Sequence, residues 1–200
     1  MAISATQVKE LRDKTAAGFM ECKAALTEAD GDITQAITIL RTKGQAKAEK
    51  RAGRSTSQGL VGHYIHQGGQ VGVIVEVNCE SDFVARTDDF QTLVKEIAMH
   101  IAAANPTCVR REEFPSDELE REQLIYRKQF EDSDKPPQVI EKIVEGKVNS
   151  FFGQVVLLDQ PSIRDPKTTI GDLLTAAVAK LGENISITRF ARFKVGDTQE

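Results

Sequence analysis

The sequence predicts an α+β chain: an N-terminal unit of three helices, then a core built on a small antiparallel sheet of about three strands with helices packed against it. Three observations carry this prediction. Apolar residues recur at helical spacing through the first 40 residues and again in several later stretches. Residues 60–66 and 70–78 read as strands joined across Gln67-Gly68-Gly69, a hairpin whose glycines supply the turn. Residues 184–195 (NISITRFARFKV) are rich in β-branched and aromatic residues, which suits a closing strand. Three strands among helices make an α+β core. The division is 1–50 for the three-helix unit with a basic arm, 51–59 for a linker, and 60–200 for the α+β core.

Taken in order, Ser4-Ala5-Thr6-Gln7 is a capping box that starts the first helix, with Val8 and Leu11 on its inner face. That helix should stop between Thr15 and Gly18. A second helix, about 19–29, carries Cys22, Ala25, Leu26 and Ala29 at helical spacing. Asp30-Gly31-Asp32 turns the chain. Asp32 is a good N-cap for a third helix with Ile33, Ala36, Ile37 and Leu40 facing the core. The far end of this helix is basic and alanine-rich and should leave the unit as a solvated arm. Residues 51–59 (RAGRSTSQG) are small and polar, as a linker would be.

After the hairpin, Thr87 caps a long helix with Phe90, Leu93, Val94, Ile97 and Ile101 buried, closed by Asn105-Pro106. A charged helix starts at Phe114-Pro115-Ser116 and runs to about Glu131. Residues 132–137 break it, and Val139, Ile140, Ile143, Val144 and Val148 mark the next helix. Residues 151–158 are apolar and stop at Gln160-Pro161. Thr169 with Asp172 opens a last helix through Leu173, Leu174, Ala177 and Leu181, and Gly182 stops it. The final strand most simply pairs with the hairpin. That leaves exposed sheet edges for a second copy or a partner to cover.

Composition narrows the function. Net charge is −4 over 200 residues, which disfavours nucleic acid as a partner of the chain as a whole. Charge is uneven: residues 43–54 hold Lys43, Lys47, Lys50, Arg51 and Arg54 against Glu49 alone. No apolar run approaches the roughly 20 residues a membrane span needs. The first residues have no apolar signal core, and three cysteines without metal-ligand spacing suit a reducing, cytoplasmic compartment. There is no glycine-rich phosphate loop, no nucleophile elbow, and no histidine pair at ligand spacing. These absences turn the reading from enzyme to binding protein, with no cofactor and no metal.

One stretch stands out. Residues 71–86 (VGVIVEVNCESDFVAR) form a strand that ends in Glu80-Ser81-Asp82, followed at once by the bulky Phe83. A carboxylate beside an aromatic ring just past a strand is well placed to act on a partner. Asp82 can equally cap the following helix, and Phe83 can equally be core. Phe19 and Met20 can both be helix-core residues, but adjacent positions cannot face the same way, so at least one should be exposed.

Two long motifs then carry a resemblance. Residues 8–26 (VKELRDKTAAGFMECKAAL) and 76–86 (EVNCESDFVAR) resemble the two signatures of the elongation factor Ts family, the guanine-nucleotide exchange factors for elongation factor Tu. Gly182-Glu183-Asn184-Ile185 with Arg189-Phe190 is similar too. Order and spacing agree, and the likeness covers essentially the whole chain. The departures are small. Ser81 stands where the family usually has Thr, which keeps the hydroxyl; Ala16 stands for a common Gly and Phe19 for a common Met.

The resemblance implies that the N-terminal helices are ubiquitin-associated-like and dock on the GTPase domain of elongation factor Tu in its GDP-bound form. By position, Arg12, Phe19, Met20 and Lys23 would make contacts there, with Arg51 a basic contact in the arm. Asp82, Phe83, Val84 and Ala85 would disturb the Mg²⁺ site of that partner. The length matches the short form of the family, which implies a homodimer. Exchange makes and breaks no covalent bond, so the chain would not be an enzyme in the chemical sense. Two other readings remain at this point: a non-enzymatic helical adaptor, and an RNA-binding protein using the basic arm. RNA binding would favour basic and aromatic residues together, which the acidic corner is not.

Overall fold

The computed structural model describes residues 3–15, 17–131 and 133–197. The chain starts with three helices, α1 (Ala5–Thr15), α2 (Phe19–Glu28) and α3 (Ile33–Arg51). Then come the strands β1 (Gln58–Ile65) and β2 (Val71–Cys79), a one-turn helix α4 (Asp82–Ala85) and the long α5 (Asp88–Ala104). Helices α6 (Ser116–Lys128), α7 (Pro137–Val155) and α8 (Ile170–Leu181) follow, and β3 (Ile185–Lys194) closes the described chain. The three strands form one antiparallel sheet in the order β1-β2-β3, so the predicted α+β class holds.

The local signals act as predicted wherever they span only three or four residues. The Gln7 amide N–H donates to the Ser4 hydroxyl at 3.2 Å, and Ser4 N–H donates back to the Gln7 side chain at 3.0 Å. Asp32 accepts from Gln35 N–H at 2.9 Å to open α3. Asp172 N–H donates to the Thr169 hydroxyl at 3.0 Å, and Thr169 N–H to the Asp172 carboxylate at 3.2 Å, to open α8. The hairpin turns through Gly68 and Gly69, both at positive φ.

Differences appear where tertiary contacts decide. Ile37 points outward, and Ile39 packs against the three-helix core built on Val8, Leu11, Cys22, Ala25, Leu26, Ala29 and Ala36. The basic end of α3 is not a free arm. Lys43 pairs with Glu28 and Lys47 with Glu21, both on α2, and a side chain at Gly44 would already touch Ala179 of α8. Residues 151–155 form the end of α7. The charged helix stops at Lys128, short of Glu131. Ala16, where α1 was expected to end, and Asp132, in the expected break, lie outside the described residues.

Contacts gather the chain into two compact units. One comprises residues 1–60, 77–93 and 173–186; the other comprises 61–76, 94–172 and 187–200. The first holds the three-helix core and the end of β2 with α4. The second holds an aromatic cluster in which Phe114 meets Phe151 edge-on at 5.4 Å and Phe152 at 6.3 Å, with Val144, Val148 and Val156 buried around them. In the second unit His100 is buried. Its Nε2 bonds the side-chain oxygen of Gln160 at 2.9 Å, and burial pushes the imidazole below its ordinary pKa.

Along β2 every second residue is buried, namely Val73, Val75, Val77 and Cys79. On the opposite face Ile74 is exposed and Glu76 pairs with the exposed Arg189, and Val61, Ile65, Phe193 and Val195 are exposed in the second unit as well. Among the described residues no helix is long and apolar enough to cross a membrane, and no group of His, Cys, Asp or Glu side chains could hold a metal ion.

Candidate partner-binding site

Two surfaces in the first unit collect the residues singled out in the sequence. The first is the outer face of α2. Its inner stripe of Cys22, Ala25 and Leu26 fills the three-helix core. Helical geometry therefore leaves the off-stripe positions in solvent. Phe19 is 49 % exposed and Met20 is 69 % exposed, so both members of the adjacent pair face out. Lys23 and, on α1, Arg12 are exposed as well. Met20 and Lys23 line a shallow depression with Ala24, Thr27 and Glu28. Glu21, beside them, is turned toward α3: the Lys47 ammonium holds its carboxyl below the usual range.

The second surface is the corner after β2. Ser81 has extended backbone (φ −129°, ψ 156°), and its hydroxyl accepts from Val84 N–H at 3.4 Å. Ser81, not Asp82, is therefore the N-cap of α4. Asp82 sits in the first turn and forms an exposed ion pair with Arg86 at 2.8 Å. Phe83 is 79 % exposed, the most open of the large apolar side chains among the described residues. Ala85 is buried, Asp82 and Val84 are half-buried, and Phe83 faces out. The Thr87 hydroxyl closes the turn, donating to Val84 O at 2.8 Å and accepting from Phe90 N–H at 3.3 Å as α5 begins.

The backbone under this corner is held by a residue 102 positions from Ser81. Glu183 accepts from Glu80 N–H at 3.1 Å, from Ser81 N–H at 2.9 Å and from the Ser81 hydroxyl at 2.5 Å. Glu80 in turn accepts from Asn184 N–H at 2.6 Å, and Arg54 reaches its carboxylate at 3.4 Å. The Asn184 N–H, with the charges of Arg54 and Arg51, keeps the Glu80 carboxyl below its ordinary pKa. The Asn184 side-chain amide donates to Ala52 O and Arg54 O, just past the end of α3. Arg51 is half-buried beside this network. Burial and the Glu183 charge push the Cys79 thiol up, so it stays protonated at neutral pH, and it donates to Ser81 O at 3.1 Å.

Sequence reasoning left Phe83 open between core and contact, and the structure exposes it; it had no local signal for Glu183 and Asn184 as the support of this corner. Those two residues stood out only as part of a matched motif.

Comparison with known proteins places the chain in one family. The profile of the family described as Elongation factor TS matches residues 2–197. A protein named Elongation factor Ts from Koribacter versatilis is 58% identical over 200 residues, covering 100% of this chain and 91% of the relative. Its namesake from Fervidobacterium nodosum is 56% identical over 197 residues, covering 98% of this chain and 100% of the relative. That from Geobacter sulfurreducens is 54% identical over 200 residues, covering 100% of this chain and 93% of the relative. The chain belongs to the elongation factor Ts family, the guanine-nucleotide exchange factors that serve elongation factor Tu in translation elongation.

Proposed function

We propose that this chain promotes GDP release by two separate contacts: the α2 face docks on the GTPase domain of elongation factor Tu, and the Asp82–Phe83 corner acts on its Mg²⁺ and phosphate site. The single observation that carries the reading is Phe83, 79 % exposed on a one-turn helix whose N-terminal backbone is held rigidly. A large ring left in water on a fixed support has much to gain from a partner. Burying it would be worth roughly 1.5–3 kcal/mol.

A GTPase holds GDP through phosphate contacts and Mg²⁺. A ring wedged beside that site, with the Asp82 carboxylate next to it, displaces the metal's ligands and biases them against Mg²⁺. The binding energy of the complex is thereby spent on weakening nucleotide affinity. Linkage makes the effect reciprocal, so GDP weakens the complex by the same factor. No covalent bond changes in this scheme, which makes the chain a catalyst of exchange rather than of chemistry, and its place of action is the cytoplasm. Arg12, Phe19, Met20 and Lys23 supply the docking contact, in a ubiquitin-associated-like unit spanning 1–50. Arg51 supports the corner network as well as the arm. The RNA-binding reading loses ground because Lys43, Lys47 and Arg54 are each paired with a carboxylate.

A second copy of the chain is the proposed cover for the exposed apolar residues Val61, Ile65, Ile74, Phe193 and Val195. A light-scattering mass of two chains that falls to one in Ile74→Glu supports that dimer; a monomeric mass for the unmodified chain contradicts it. For exchange itself, stopped-flow release of labelled GDP from elongation factor Tu is the test. Catalytic amounts of the chain accelerate release, and the Asp82→Ala/Phe83→Ala double variant loses most of that acceleration while melting near the unmodified protein. Unchanged release in a folded double variant contradicts the role of the corner.

A further inference from the structure

We propose that Glu183 is a positioning residue for nucleotide exchange: its carboxylate fixes the backbone of Glu80-Ser81 and thereby aims Asp82 and Phe83. This rests on the reading of those two residues as the ones that act on the partner.

Helix α4 has only four residues. So short a helix cannot hold its own direction, because nucleation fixes several dihedrals for one or two hydrogen bonds. Something else must set the angle at which the chain leaves β2. Three donors at that point, Glu80 N–H, Ser81 N–H and the Ser81 hydroxyl, converge on the two oxygens of Glu183. Bonds to an ionised carboxylate are roughly twice as strong as neutral ones. The Ser81 hydroxyl is used twice, since its oxygen also accepts from Val84 N–H. The anchor is thus passed directly into the helix that carries Phe83.

Glu183 is itself well placed for this. Gly182 ends α8 at φ +79°, a conformation that a side chain would strain, and turns the chain so that Glu183 meets the corner. Glu80 reciprocates by accepting from Asn184 N–H at 2.6 Å. Two carboxylates therefore cross, each holding the other segment's backbone. The Asn184 amide extends the bracket to Ala52 O and Arg54 O, just beyond the end of the helix whose other face completes the docking unit. Docking at α2 and action at the corner are tied through these bonds within one compact unit.

The test is the dependence of labelled-GDP release from elongation factor Tu on the concentration of this chain, for Glu183→Gln, Asp82→Ala/Phe83→Ala and all three combined. Glu183→Gln keeps the size of the side chain but removes its charge and one acceptor oxygen. Misplacing an acting group by a small distance costs rate, so the maximal release rate should fall about tenfold while the half-saturating concentration moves less than about threefold. If Glu183 works through Asp82 and Phe83, adding Glu183→Gln to Asp82→Ala/Phe83→Ala should cost less than about twofold more. Additive losses would mean a general weakening of the fold and would overturn the proposal. So would a normal maximal rate in Glu183→Gln when Asp82→Ala/Phe83→Ala has lost exchange; in that case the corner keeps its role and only the positioning claim falls. Full exchange in Asp82→Ala/Phe83→Ala would remove the corner's role and the proposal with it. Should Glu183→Gln fail to fold, Ser81→Ala and Ser81→Thr ask the same question. The alanine should lower the maximal rate and the threonine, which keeps the hydroxyl, should restore it; equal rates in all three would overturn the proposal.

Discussion

The two contact surfaces of this chain are built in opposite ways. The α2 face is what remains when a helix has filled its core: Phe19, Met20 and Lys23 are off the buried stripe and lie open in solvent. The corner shows two exposed side chains, Asp82 and Phe83, but the backbone beneath them is held by three bonds to Glu183 and braced by Glu80, Asn184 and Thr87. A surface that only has to hold a partner needs area and tolerates some play. A surface that has to push on a metal site needs direction. The difference in support therefore separates affinity from action.

That separation can be broken experimentally. The largest effect is expected at the corner, where Asp82→Ala/Phe83→Ala should lower the maximal rate of GDP release by about a hundredfold, in line with removing a preorganised acting group. Next comes the docking face. Phe19→Ala/Met20→Ala should raise the half-saturating concentration about tenfold, as expected for losing buried apolar contact worth roughly 1.4 kcal/mol, and should leave the maximal rate nearly unchanged.

Smaller effects concern stability against pH. The folded pKa of Glu80 lies below its ordinary value of 4.5, so its contribution is present above that pH and is lost as the pH falls through the folded value. Urea unfolding of the unmodified chain and of Glu80→Gln should therefore converge as the medium is acidified below pH 4.5; parallel curves would contradict the bracket. His100 is also depressed, by burial, so it is neutral in the fold and its protonation opposes folding. Stability should decline as pH falls below the ordinary value of 6.5, and His100→Leu should flatten that decline.

Some parts of the molecule were readable in the sequence and others were not. Caps such as Ser4 with Gln7, Asp32 with Gln35 and Thr169 with Asp172 join residues three apart, so composition and spacing reveal them. The strands were legible for the same reason, since alternation along β2 is a local property. Asp82 and Phe83 stood out as an abrupt change after a strand, but their spacing alone left open whether they cap, pack or face a partner. Their support was not, because Glu183 lies 102 positions from Ser81 and nothing near it in sequence marks it as a brace. The cap of α4 was assigned to Asp82 as an option, but the hydroxyl of Ser81 does that work and leaves the carboxylate free to pair with Arg86. Ile37 misled for a related reason. Its spacing fits the stripe, but the packing of α3 against two other helices selects Ile39 instead.

The most direct test of the central claim is a single set of GDP-release titrations on the unmodified chain, Phe19→Ala/Met20→Ala and Asp82→Ala/Phe83→Ala. The account predicts that the first pair shifts the half-saturating concentration at nearly constant maximal rate, and that the second pair collapses the maximal rate at nearly constant half-saturation. Two variants that shift the same parameter together would contradict it, because docking and action would then be one surface and not two.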